Sequence, residues 1–217
     1  MNTKVYTQRI RVFLLLTLAF IFALLVLFQG CSNEYNVTGI ESSDPGILRI
    51  YIQSDNADTS IVVAGDTVVV GSSLDSLDLN IGQGRAYRDT NYAVLYKSID
   101  TDSSDSYRER TKTVNIIKQN DVGYEEYLMF ESYLPVATFD SLKISITARF
   151  LRIGYYQIPI EMPDSESALI RFDDNFDIHE GRVTEIHLQI KPFQSLVRVV
   201  DSFHFIQDIE VADIKYL

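Results

Sequence analysis

Residues 142–150 read Leu-Lys-Ile-Ser-Ile-Thr-Ala-Arg-Phe, so apolar and polar side chains alternate at every position. Successive side chains of a β-strand point to opposite faces of the sheet, and a period of two is therefore typical of a strand with one buried face. The even-numbered side chains of this stretch are predicted to face the core. The odd-numbered side chains are predicted to face solvent, and these are Lys143, Ser145, Thr147 and Arg149.

The same pattern recurs along most of the chain. Leu48, Ile50 and Ile52 share one face of a first strand, and the segment Val183–Ile190 alternates again. No segment combines an amphipathic helical pattern with capping residues, and short strands recur at intervals of about 8–12 residues. We therefore predict an all-β protein, with an antiparallel β-sandwich of the immunoglobulin or transthyretin type over residues 46–217.

The N-terminus has a different composition. Lys4, Arg9 and Arg11 precede a run from Val12 to Phe28 in which Thr17 is the only polar residue. A basic tip followed by an apolar core and a small residue is typical of a secretory signal. Residues 1–30 are predicted to be a signal helix of this kind, with the basic end left in the cytoplasm.

Cys31 is the only cysteine of the chain, and it follows Gly30 directly after the apolar run. This arrangement resembles the lipobox of bacterial lipoproteins, although Phe28 and Gln29 stand where that motif favours Leu, Val or Ile and a small residue. The resemblance implies that Cys31 is the lipid attachment site. The alternatives are an uncleaved transmembrane anchor and a signal that is removed without lipidation.

A lipid on Cys31 would place the protein in the bacterial cell envelope. Residues 31–45 are polar and are predicted to be a tether between the lipid and the domain. Two acyl chains suffice for stable anchoring, whereas one alone is marginal. Ser32 follows the cysteine where an aspartate would favour retention, and by resemblance to the enterobacterial sorting rule this favours the outer membrane.

Composition narrows the possible partners. The formal net charge is −11, and it becomes −14 once the three cations of residues 1–30 are removed. Such an acidic chain argues against nucleic acid and against electrostatic adhesion to anionic lipid. The expected partners are the membrane, through the N-terminal lipid, and an envelope protein. No cysteine is left for a disulfide, so the fold must rest on its apolar core.

The segment Leu134–Val211 resembles the C-terminal part of the DUF4382 domain of bacterial envelope lipoproteins. The resemblance rests on turn and strand motifs, namely Leu134-Pro135 with Phe139 and Leu142, then Pro159 and Pro163, Phe176-Asp177-Ile178-His179-Glu180-Gly181, Ser195-Leu196-Val197, and a final strand through Ile209. It implies a β-sandwich and an envelope location. It carries over no catalytic residues.

Catalytic motifs are absent from the sequence. His179, His187 and His204 are the only histidines, and none belongs to an HExxH signature. The chain also has no Gly-x-Ser-x-Gly elbow and no phosphate-binding Gly-x-x-x-x-Gly-Lys loop. We therefore expect a protein that is not an enzyme, with a hydrolase site assembled from distant residues as a weaker alternative.

One acidic segment offers oxygen ligands. Its weak candidates for a metal site are Asp173, Asn175, Asp177 and Glu180. Read from Asp173, the loop begins like an EF-hand, but Ile178 replaces the glycine and Thr184 the final glutamate. No cofactor is expected, and calcium is an alternative to a solvated acidic turn.

Tyrosines are the other candidates for partner contact. Tyr155 and Tyr156 are adjacent, and Tyr124 and Tyr127 flank two glutamates. Exposed tyrosines suit protein or glycan contact, and an exposed edge strand could accept a partner by strand addition. The prediction is a lipid-anchored, non-enzymatic envelope protein whose sandwich serves protein interaction or structural assembly. The alternative is a calcium- or glycan-binding surface module.

Overall fold

A computed structural model describes residues 44–63, 65–97, 112–162, 169–200 and 202–217. The predicted signal helix over residues 1–30, the predicted lipid attachment site Cys31 and most of the predicted tether over residues 31–45 lie outside these ranges. All described residues belong to one compact unit, Ser42–Leu217.

The described residues form strands and no helix, which confirms the all-β prediction. The strands are β1 (Gly46–Ser54), β2 (Ser60–Val63), β3 (Asp66–Val69), β4 (Ser76–Arg88), β5 (Asn91–Leu95), β6 (Lys112–Asn115), β7 (Gln119–Asn120), β8 (Gly123–Tyr124), β9 (Tyr127–Leu134), β10 (Ala137–Phe139), β11 (Ser141–Ile153), β12 (Tyr156–Glu161), β13 (Leu169–Phe172), β14 (Phe176–Ile178), β15 (Val183–Ile190), β16 (Leu196–Val199), β17 (Ser202–Phe205) and β18 (Ile209–Tyr216).

The smaller of the two main sheets has four strands in the order β18-β15-β1-β9. Its central pair, β1 and β15, is parallel, with Ile50 opposite Ile186, whereas β9 and β18 are antiparallel to their neighbours. The sequence predicted antiparallel pairing throughout. Strands distant in the sequence can pair in either direction, because a long connection permits the parallel arrangement that a short hairpin forbids.

The larger sheet has eight strands and is built on the two longest, β4 and β11. These two strands pair with each other along one side. Along its opposite side β4 pairs with the shorter strands β5 and β6, and β11 pairs with β12 and β13. The strands β16 and β17 extend the sheet through a second parallel pair, β12 with β17. The described residues also form three two-stranded sheets, which are β2–β3, β7–β8 and β10–β14.

The core lies between the two main sheets and consists of the inward side chains that alternation predicted. Leu48, Ile50 and Ile52 of β1 have no exposed surface, and Ile144 and Ile146 of β11 are equally buried. Burying a side chain of this size is worth about 1.5–3 kcal/mol, and the resulting apolar layer holds the two sheets together without a disulfide.

One inward residue was predicted wrongly. Phe150 is 44% exposed, and its neighbour Leu151 is buried instead. The pairing of β11 with β4 shifts its register between Ala148 and Leu151. A β-bulge inserts one extra residue and exchanges the two faces of the strand beyond it. The strict alternation of residues 142–150 carries no sign of this bulge.

Candidate functional site

Three cations lie side by side on the outer face of the eight-stranded sheet. Lys143 of β11 is directly opposite Arg85 of β4 on one side and Arg171 of β13 on the other. Directly opposed residues share a face, and neighbouring strands are about 4.8 Å apart. We call Arg85, Lys143 and Arg171 the cation row; it spans about 10 Å across three strands.

Two tyrosines line the cation row. The Lys143 Nζ lies 5.0 Å from the centre of the Tyr87 ring, and the Arg85 Cζ lies 4.6 Å from the centre of the Tyr92 ring. The two rings are 5.5 Å apart, because Tyr87 and Tyr92 are opposite each other on β4 and β5. A cation over a tyrosine ring gains about 0.5–1 kcal/mol at an exposed site. The cation row with Tyr87 and Tyr92 is named the cation–tyrosine face.

The cation row has little acidic compensation. Asp173 pairs with Arg171. Among the described residues, no carboxylate lies within ion-pair distance of Arg85 or Lys143, and Arg85 donates instead to the amide oxygen of Gln83 at 2.9 Å. Like charges directly opposite each other destabilise a sheet. The three adjacent cations therefore repel one another, and binding of an anionic partner would reduce this repulsion.

The outer face of the four-stranded sheet is different, because its charges satisfy one another. The Arg49 guanidinium lies 2.7 Å from a Glu131 oxygen and 3.6 Å from a Glu185 oxygen. The hydrogen bond to Glu131 raises the pKa of Arg49, which stays charged. Tyr51 stacks on His187 at 5.0 Å between ring centres and donates to Glu185 at 3.3 Å.

His187 is on this outer face, as its phase relative to Ile186 and Leu188 predicted. Its Nδ1 lies 2.7 Å from a Glu126 oxygen, and its Nε2 lies 3.7 Å from a Glu185 oxygen and 3.4 Å from the Lys215 Nζ. Both ring nitrogens are therefore engaged by charged neighbours. The side chains of this network hold one another in place, so the described residues of this face present no set of charges available to a partner like that of the cation row.

The structure brings one serine, one histidine and one carboxylate together. The Ser202 hydroxyl lies 3.1 Å from the His204 Nε2, and a Glu161 oxygen lies 3.3 Å from the same nitrogen. In a catalytic triad the nucleophile and the carboxylate engage different ring nitrogens. Because both contacts share Nε2, this trio lacks the geometry of a hydrolase triad. His179 is exposed and packs its ring edge-on against Tyr216.

The candidate calcium ligands do not converge. Asp173 forms an ion pair with Arg171, and Asp177 accepts a hydrogen bond from the Thr138 hydroxyl at 2.6 Å. Glu180 accepts a hydrogen bond from the backbone N–H of Asp44 at 3.1 Å. The remaining candidate, Asn175, is exposed. Within the described ranges, no three His, Cys, Asp or Glu side chains are grouped so that they could hold a metal ion.

Two buried carboxylates were missed by the reading of the sequence. Asp58 is 7% exposed and accepts hydrogen bonds from the backbone of Phe193 at 2.8 Å and Gln194 at 3.1 Å. It lies in the wall of an open cavity of about 280 Å³. Asp75 is equally buried and is bound by three backbone N–H groups. Their hydrogen-bond donors are distant in sequence or lie in loops without a motif, so neither carboxylate could be recognised from a sequence pattern.

The tyrosines named from the sequence have different environments. Tyr155 and Tyr156 are 95% and 78% exposed, because they stand at the turn between β11 and β12. Tyr124 is buried and donates to the Asp58 carbonyl at 3.1 Å, so the prediction of partner contact is wrong for this residue. Tyr127 is half-buried, and burial together with its hydrogen bond to Glu125 raises the pKa of its phenol.

No family model, curated protein or solved structure matches this chain. The resemblances to DUF4382 and to immunoglobulin or transthyretin sandwiches therefore stay predictions. Within the part of the chain that the structure describes, there is no helix of the length and apolarity needed to cross a membrane.

Proposed function

We propose that this protein is a lipid-anchored, non-enzymatic component of the bacterial cell envelope, in which the β-sandwich binds an acidic partner protein. The observation that carries the proposal is the cation row, Arg85, Lys143 and Arg171, held in register on an open sheet face. The lipid on Cys31 would fix the domain at the outer membrane and leave this face free to meet its partner.

The composition of the cation–tyrosine face suits a protein partner. Arginine and tyrosine are enriched at protein interfaces, where planar guanidinium groups bind carboxylates in pairs and tyrosine rings supply rigid contact area. Tyr92 and Val94, at the edge of the face, are 50% and 43% exposed. The face therefore offers apolar contact beside its charges, which a partner with carboxylates among apolar residues would use.

The charge of the whole chain limits which anions could bind there. At a net charge of −11, the charge of the whole chain disfavours the binding of nucleic acid and of anionic membranes. The Debye length is about 8 Å at physiological salt, so an acidic segment that reaches the face feels mainly the local cations. A partner with a few carboxylates in one segment fits this balance better than a long polyanion.

Reversing two charges of the cation row is expected to weaken binding of the partner. We expect in-cell crosslinking, followed by affinity purification and mass spectrometry, to recover an acidic envelope protein with the wild-type chain. Lys143→Glu/Arg171→Glu should weaken binding of the purified partner by about tenfold or more, and the wild-type affinity should fall with added salt.

The matched control is Arg182→Glu/Lys191→Glu, which makes the same charge change at the two ends of β15. It should leave partner binding unchanged. Equal loss in both double variants would show a general charge effect and would contradict a specific face. Release of the partner by polygalacturonate but not by polyglutamate would favour an acidic glycan instead.

The lipid anchor gives a separate prediction. Cells fed an alkyne-labelled fatty acid should label the wild-type protein and Ser32→Ala, and should not label Cys31→Ala. The unlabelled variant should keep residues 1–30 and stay in the membrane fraction through the apolar run Val12–Phe28, because the thiol is acylated before the signal is cleaved. The mass of the wild-type protein should show that residues 1–30 are removed, and a wild-type protein that keeps them would be held by an uncleaved anchor. A wild-type protein without label would contradict lipidation.

A further inference from the structure

Strand β18 is an outer edge of the four-stranded sheet, and within the described residues it pairs on one side only, with β15. It has eight residues, whereas the outer strands of the larger sheet, β5 and β16, have five and four. The other long outer strand, β9, is partly covered because Lys97 bridges to Phe130. An open edge of this length is a template for pairing with another chain.

The hydrogen bonds to β15 show which backbone groups of β18 are free. Leu217 and Val183 exchange two hydrogen bonds at 2.9 and 3.3 Å, and the Lys191 N–H donates to the Asp208 carbonyl at 3.1 Å. In an antiparallel pair, backbone groups point alternately toward the partner and away from it. The residues whose N–H and C=O point to the free edge are therefore Ile209, Val211, Ile214 and Tyr216.

We propose that β18 pairs antiparallel with β18 of a second copy, so that two four-stranded sheets join into one about a two-fold axis. In the register that matches best, residues of one copy oppose residues of the other as follows: Ile209 and Tyr216, Glu210 and Lys215, Val211 and Ile214, Ala212 and Asp213. This inference is independent of the cation–tyrosine face.

Three properties of β18 favour this register of pairing between the two copies. The four residues with free backbone groups oppose one another, so both copies form ladder hydrogen bonds. Glu210 and Lys215 are exposed and bring opposite charges together twice, once on each side of the axis. Val211 and Ile214 are only half-buried in one copy and would cover each other. Opposite charges and apolar pairs directly across a sheet are both favourable.

The bulge in β18 explains why the second copy fits this edge better than an unrelated strand. Leu188 pairs with Val211 and His187 with Asp213, which leaves Ala212 as an extra residue. A straight strand would oppose two residues of β18 with one at this point. A second copy carries the same extra residue at the matching place, so Ala212 meets Asp213 and none is left unopposed. The interface is then isologous, as a closed dimer requires.

The test is the oligomeric state of the full chain in detergent at physiological salt, measured by sedimentation velocity over a range of concentrations. We expect a dimer. Glu210→Lys places Lys opposite Lys215, and Lys215→Glu places Glu opposite Glu210, so each should raise the dissociation constant by about tenfold. The double variant Glu210→Lys/Lys215→Glu restores opposite charges and should return the dissociation constant toward the wild-type value.

Asp121→Lys is the control, because it makes the same charge change in an exposed turn far from β18 in the sequence. It should leave the dimer unchanged, and circular dichroism should show all variants folded, since both edge residues are exposed. A wild-type monomer at every concentration would overturn the proposal. So would a dimer that both single variants leave intact, or a double variant that is weaker than either one.

Discussion

Replacing Phe130 by alanine is expected to lower the free energy of unfolding by about 3–5 kcal/mol. Phe130 has no exposed surface and lies opposite Ile50 in the four-stranded sheet. Its ring also reaches the other sheet, because a Cβ built on Gly84 of β4 would meet the ring at 2.9 Å. The ring therefore fills the space between the sheets, and its removal leaves a cavity that both sheets would have to close.

Thermal unfolding followed by circular dichroism measures this effect. For a domain of this size, a loss of about 3–5 kcal/mol should lower the melting temperature by roughly 10 °C or more. Phe150→Ala is the matched control, since the same ring is 44% exposed there and its loss should cost about 1 kcal/mol or less. Equal shifts for the two variants would contradict the role of Phe130 as the filler between the sheets.

Asp75→Asn is expected to destabilise the fold by about 2–3 kcal/mol at neutral pH. One Asp75 oxygen accepts from the N–H groups of Gly71 at 3.1 Å and Ser72 at 2.8 Å, and the other accepts from Gly154 at 2.8 Å. The carboxylate thus ties the loop before β4 to the turn after β11. An asparagine has one acceptor oxygen, and its NH2 group would face a backbone N–H that then has no partner.

The same residue makes stability depend on pH. Burial opposes ionisation of Asp75, but its hydrogen bonds from Gly154, Gly71 and Ser72 outweigh this and lower the pKa below its ordinary value. A group with a lowered folded-state pKa stabilises the fold above its unfolded pKa of about 3.9. That stability is lost as the pH falls through the folded-state pKa.

The wild-type melting temperature should therefore fall more steeply than that of Asp75→Asn below about pH 4. The difference in melting temperature between the wild type and Asp75→Asn should be largest at neutral pH and should become smaller as the pH falls. Asp66→Asn, at an exposed carboxylate, should follow the wild-type curve. A constant difference between wild type and Asp75→Asn down to pH 2 would contradict the linkage to ionisation of Asp75.

The sequence predicted the orientation of one residue of the cation row but not which residues lie next to it. Lys143 was placed on the solvent face from alternation alone, and the structure agrees. Its opposition to Arg85 and Arg171 could not be read from the sequence, because these residues belong to three separate strands. The same limit applies to Asp75 and Gly154, which lie far apart in the chain and meet only through the packing of a loop on a hairpin.

The sequence by itself determined the all-β class and the inward face of most strands, because the two-residue period is a local property of each segment. Only the tertiary structure decided the parallel pairing of β1 with β15, the bulge that exposes Phe150, and the cation row. Each of these depends on which distant strands pair and in which register. Loop closure and packing of the whole core determine that choice, and no local pattern encodes it.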